Sequence, residues 1–112
     1  MKLPNAELCL VEHRKVVEYL LNREHPENGG KADFFTSLGF SKENWKILAD
    51  AFRLLAYNGS VTKTMESIHG KKYIVDGKIR TPLGKSAVVR TIWIVDGGES
   101  IPRLVTAYPQ EK

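Results

Sequence analysis

His25 is the side chain of this sequence best suited to moving a proton, because an unperturbed imidazole titrates close to neutral pH. It sits in the loop-forming run Glu24-His25-Pro26-Glu27-Asn28-Gly29-Gly30. Lys31 follows at the start of an expected helix, where the helix dipole disfavours a cation. An ammonium and a helix N-terminus together attract a phosphate. Arg90 lies in the most strand-like run of the chain. Period 2 places it on one face with Val88, Ile92 and Ile94. A charge among apolar neighbours is either paired or lines a cleft. In the last strand-like run, Thr106 and Tyr108 offer hydroxyls to an oxyanion. Leu104 falls on their face, and Arg103, Val105 and Ala107 on the other. These residues suit proton transfer at an anionic centre, with His25, Lys31, Arg90 and Thr106 as the catalytic candidates. Each also has a plainer reading: His25 as a turn residue, Lys31 as a solvated side chain, Thr106 and Tyr108 as cross-strand packing.

Other chemistries lack their residues. His13, His25 and His69 are not in metal-ligand spacing, and His-Glu-x-x-His does not occur. There is no phosphate-cradling Gly-x-x-x-x-Gly-Lys-Ser/Thr and no Gly-x-Ser-x-Gly elbow. No metal and no cofactor are expected. Cys9 is the one cysteine, so no internal disulfide is possible. Its Leu8-Cys9-Leu10-Val11 setting predicts a small buried hydrophobe.

The net charge of +4 is unevenly spread. Residues 1–56 hold eight basic and eight acidic side chains, and residues 57–112 hold nine and five. Within 61–90 only Glu66 and Asp76 oppose Lys63, Lys71, Lys72, Lys78, Arg80, Lys85 and Arg90. Such a patch suits an anionic partner such as RNA. Lys71, Lys72, Lys85, Arg103 and Tyr108 are the RNA-binding candidates. The plainer account is a solvated sheet whose lysines guard its edges.

The chain's 112 residues fit one domain spanning 1–112, with a helical half over about 1–58 and a sheet over about 61–109. Val16 with Leu20, and Val17 with Leu21, predict a short helix over 12–22. A second is expected over 31–38, stopped by Gly39. The third and longest is expected over 42–57, capped by Ser41. Trp45, Leu48, Ala49, Phe52, Leu55 and Ala56 form its apolar stripe. Trp45 and Trp93 are expected in the core, with His13 and His69 at the surface. Strands are then expected at 62–67, at 73–75 and 78–80 around an Asp76-Gly77 hairpin turn, at 87–96 and at 103–108. Helices followed by a meander give an α+β fold, with helices packed on an antiparallel sheet of four to five strands. No apolar run reaches the length of a membrane span, and Met1–Glu7 lacks a signal peptide's hydrophobic stretch, so a cytoplasmic protein is expected.

Two blocks carry a family resemblance. The first is Tyr19-Leu20-Leu21, His25-Pro26, Gly30-Lys31-Ala32, Phe35 and Gly39-Phe40. The second is Tyr73, Thr81-Pro82-x-Gly84-Lys85, Val89-Arg90-Thr91-x-Trp93-Ile94 and Pro102-Arg103-Leu104-Val105-Thr106-Ala107-Tyr108-Pro109. Over about residues 3–109 the chain resembles a bacterial domain of unknown function. That domain occurs free-standing and as a C-terminal module of phage-head-associated and polymorphic-toxin-like proteins. It distantly resembles the barnase–EndoU–colicin–RelE group of metal-independent RNase toxins. The resemblance implies an RNA-cleaving toxin, neutralised by a small acidic antitoxin or immunity protein. The alternative is a non-enzymatic module that holds nucleic acid or an acidic protein on a basic sheet face. The two part on whether His25, Lys31, Arg90 and Thr106 share one cleft.

Overall fold

The structure, a computed structural model, describes residues 1–110. After a 3-10 turn at Ala6–Leu8, a single α-helical turn α1 (His13–Lys15) runs into a π-helical segment, Val16–Leu20. The expected continuous helix over 12–22 is therefore shorter and wider than regular. Leu21 N–H reaches back to Val16 O at 2.9 Å, the five-residue step of a π-turn. That step turns Val16, Leu20 and Leu21 all inward and leaves Tyr19 half-buried beside them.

Helix α2 (Lys31–Ser37) buries Ala32 and Phe35, and Gly39 at φ 98° ends the turn after it, as expected. Helix α3 (Trp45–Asn58) buries Leu48, Ala49, Phe52, Leu55 and Ala56 along one stripe. It begins later than the sequence suggests. Ser41 N–H donates to Asn44 Oδ1 at 2.7 Å, while Asn44 N–H donates to Ser41 Oγ at 3.3 Å. This pair closes a turn ahead of the helix. Trp45 is half-buried against the edge of His13 rather than inside the core.

Four strands follow: β1 (Val61–Ser67), β2 (Gly70–Arg80), β3 (Ser86–Asp96) and β4 (Arg103–Pro109). They pair antiparallel in sequence order, so the fold is α+β with the helices preceding a four-stranded meander. One face packs Tyr73, Val75, Val89, Trp93, Leu104 and Ala107 into the core with the helices. The other face, carrying Asp76, Arg90 and Tyr108 in register, is left open by the helices.

The sequence misleads at two points of the sheet. No turn occurs at Asp76-Gly77, because β2 passes straight through both residues. Gly77 serves close packing instead: a Cβ there would lie 2.6 Å from Leu55 Cδ1 of α3. The turns lie at Ile68-His69 and over residues 81–85. The second departure is a bulge in β4. Thr106 pairs with Ile92, but Leu104 pairs with Trp93, so Val105 is the extra residue. The bulge brings Arg103, opposite Ile94, onto the face of Thr106 and Tyr108, whereas simple alternation separates them. No helix among the described residues is long and apolar enough to cross a membrane.

Candidate functional site

The loop that carries His25 is tied to the π-turn by Asn28. This side chain is buried, and its Nδ2 donates to Tyr19 O at 2.6 Å. Its Oδ1 accepts the Ala32 N–H at 2.8 Å, and its backbone N–H donates to His25 O at 3.0 Å. One buried amide thus fixes the His25 loop, the start of α2 and Tyr19 relative to one another. A buried amide is held rigidly when its polar atoms are satisfied in this way.

Tyr19 is the centre of the resulting arrangement. The His25 ring meets it edge-on with centroids 4.9 Å apart. Lys31 Nζ lies 5.5 Å from the Tyr19 ring centroid, and Lys15 Nζ lies 5.2 Å from it. The Tyr19 hydroxyl is 3.4 Å from Thr106 Oγ1 across the edge of the sheet. Beside it opens a cleft of about 240 Å³, whose walls include Lys15, Tyr19, His25 and Arg103. Of the four catalytic candidates, His25, Lys31 and Thr106 therefore gather on one tyrosine.

His25 is held in one orientation. Its Nδ1 accepts the Glu27 N–H at 3.1 Å. In the neutral ring the proton then sits on Nε2, the nitrogen free to act on a ligand. Lys31 Nζ donates to Asn28 O at 3.1 Å and has no carboxylate partner among the described residues. Burial pushes the Lys15 ammonium's pKa down. Arg103 and Arg14 push the same way, while Tyr19 and Glu12 oppose them.

Arg90 stands elsewhere. It lies on the open sheet face, with Nε 2.8 Å and Nη2 2.9 Å from the two oxygens of Asp76. The same carboxylate receives Gln110 Nε2 at 3.1 Å and Thr62 Oγ1 at 3.4 Å. Hydrogen bonding to Asp76 first, and the Tyr108 hydroxyl beside it, hold the Arg90 pKa above its already high ordinary value. The charge among apolar neighbours is thus paired. Arg103 is similarly clamped: Nε and Nη2 reach Asp96 at 2.7 and 3.0 Å.

The RNA-binding candidates are divided by the pleat. Lys72, opposite Ile94, shares the open face with Arg103 and Tyr108. Lys71, one residue earlier, lies on the helix-side face with its Nζ 5.4 Å over the Tyr73 ring. Lys85 sits in the turn between β2 and β3. Cys9 is buried, as its apolar neighbours predict. Among the described residues no three His, Cys, Asp or Glu side chains form a metal-binding group.

Residue reading misses Tyr19 and Lys15 as parts of the site. Their spacing is the available signal, since i,i+4 on a helix places a cation over a ring. Asp76 is missed because Asp-Gly reads as a turn.

A model of the family described as Domain of unknown function (DUF6883) matches residues 2–111. No curated protein matches the chain. One solved structure similar to it is a chain of a contact-dependent growth inhibition toxin–immunity protein complex from Klebsiella pneumoniae 342. The TM-score is 0.72 at 18% identity, covering 96% of this chain and 97% of that one. At this identity the likeness is one of fold.

Proposed function

The chain belongs to the family of domains of unknown function DUF6883, and from that premise we propose that it is a metal-independent endoribonuclease toxin domain. The convergence of His25, Lys31 and Thr106 on Tyr19 carries this reading. The likeness in fold to a chain of a growth-inhibition toxin–immunity complex supports it.

In this mechanism the 2′-oxygen of RNA gives up its proton to solvent and attacks the adjacent phosphorus, and the bond to the 5′-oxygen breaks as that oxygen takes a proton from solvent. Lys31 stabilises the charge that grows on the phosphoryl oxygens. The Thr106 hydroxyl, oriented by Tyr19, positions the phosphate. His25 acts through Nε2, since Nδ1 is occupied by the Glu27 amide; in that tautomer it hydrogen-bonds the departing oxygen. Arg90, paired with Asp76 on the open face, holds the sheet and takes no part in this step, while Lys72, Arg103 and Tyr108 guide the strand. The domain acts in the cytoplasm of a cell, and an acidic immunity protein that covers this basic surface would silence it.

A second reading follows from Arg90. Its bidentate pairing with Asp76 spends the contacts that a catalytic guanidinium would give to phosphate. A module that binds RNA or an acidic protein without cutting would need no free Arg90. Induced expression of the full chain and of His25→Ala in bacteria separates the two. The nuclease reading expects growth arrest and degraded RNA with the first and neither with the second. Intact RNA in both strains would favour the binding module.

A further inference from the structure

Lys15 is a half-buried cation that feels the Glu12 carboxylate but forms no ion pair with it. No ion pair among the described residues includes it. Its contact is the face of Tyr19, at 5.2 Å. Removing an ammonium from water without an anion is unfavourable, and burial accordingly pushes its pKa down. Glu12 and Glu18 also line the cleft, but Glu12 lies 3.9 Å from Arg14 and Glu18 is exposed. An incoming anion would relieve this arrangement.

Arg103 also lines the cleft and supplies matching donors. Arg103 uses Nε and Nη2 on Asp96, and a guanidinium has five N–H groups. The remaining ones are held in direction by that clamp. Lys31 approaches the same tyrosine as Lys15, so one RNA strand passing Tyr19 can meet both ammoniums.

We propose that Lys15 and Arg103 form a second phosphate subsite, which holds the RNA phosphate next to the one engaged by His25, Lys31 and Thr106. The proposal rests on the RNA reading above. It makes Tyr19 the centre of a two-phosphate clamp, with Lys15 and Arg103 on its cleft side, and gives Lys15 a binding role rather than a catalytic one.

The test uses the full chain and a fluorescein-labelled 2′-O-methyl RNA hexanucleotide. Blocking the 2′-oxygen prevents cutting, so binding is read on its own by fluorescence anisotropy over a range of salt. Lys15→Ala is expected to weaken binding about tenfold at low salt. It should also reduce the slope of log affinity against log salt by about 0.7, the value for one single-strand phosphate contact. Lys15→Arg should restore both. Lys2→Ala removes the same charge near β1, at the opposite edge of the sheet, and should change neither. Equal behaviour of Lys15→Ala and Lys2→Ala would overturn the subsite. So would a loss that Lys15→Arg fails to restore, since that would assign the effect to packing against Tyr19. Should the wild type cut natural RNA while Lys15→Ala binds and cuts equally well, the subsite fails and the nuclease reading stands. Lys15-dependent binding with no cutting of natural RNA gives the reverse.

Discussion

Two gatherings of positive charge among the described residues are built differently. On the open sheet face, Arg90 is locked to Asp76 by two short hydrogen bonds, and Gln110 and Thr62 close on the same carboxylate. At the helix-sheet edge, Lys15 and Lys31 face Tyr19 with no carboxylate engaged. The first cluster satisfies itself and therefore holds the sheet. The second is left for something else to satisfy. Counting basic residues along the chain cannot separate these cases, because pairing depends on strand register and on a π-turn.

The contrast breaks most sharply if charge is removed from around Tyr19. Lys31→Ala should reduce RNA cleavage by about 10²–10³-fold, as loss of one oxyanion-stabilising group does. Its urea midpoint should stay close to wild type, since its Nζ makes a single bond, to Asn28 O. A large fall in stability with little loss of cutting would merge the two clusters into one structural class.

Removing charge from the sheet should do the opposite. Asp76→Ala leaves Arg90 unpaired, with the Asp76 side chain only 11% exposed and that of Arg90 34% exposed. Breaking a buried pair costs about 3–5 kcal/mol, and solvent at Arg90 places this case near about 3 kcal/mol in urea unfolding. Replacing both partners, as Asp76→Leu with Arg90→Met, should recover most of that loss. Asn28→Ala tests the connection within the cleft. It strips a buried amide from Tyr19 O and Ala32 N–H and should cost about 1–3 kcal/mol. It should also weaken cutting, because the His25 loop loses its tether.

The smallest effects concern the rim. The Arg103 guanidinium holds the Asp96 carboxyl below its ordinary pKa. That pair therefore stabilises the fold at pH above the ordinary carboxylate range and loses its contribution as pH falls through it. Asp96→Asn should flatten this acid limb of an unfolding-versus-pH curve. Lys72→Ala should lower RNA affinity slightly more than Lys71→Ala, because adjacent strand residues point to opposite faces. Equal losses would remove the open face from the binding path.

Local pattern carries most of the fold. The apolar stripe of α3 and the β-rich run at Ser86–Asp96 are both legible, since each is long and strongly periodic. Three features are not. Gly77 reads as a turn because its real neighbour, Leu55, is distant in sequence. The β4 bulge at Val105 reverses the face of Arg103, and an extra residue of that kind leaves no mark on period-2 alternation. The π-turn at Val16–Leu20 sets Tyr19 beside His25, and a helical wheel of regular pitch does not place it there. His25, Lys31 and Thr106 are nameable from their chemistry. Their meeting point is a tertiary fact.

The most direct measurement is cleavage of purified natural RNA by the full chain in excess EDTA, with analysis of the product ends. Cutting is expected to survive EDTA and leave 2′,3′-cyclic phosphate, to be lost in His25→Ala, and to spare DNA because it lacks the 2′-hydroxyl. Cutting that stops in EDTA and returns with magnesium, or equal cutting of DNA, would contradict this mechanism.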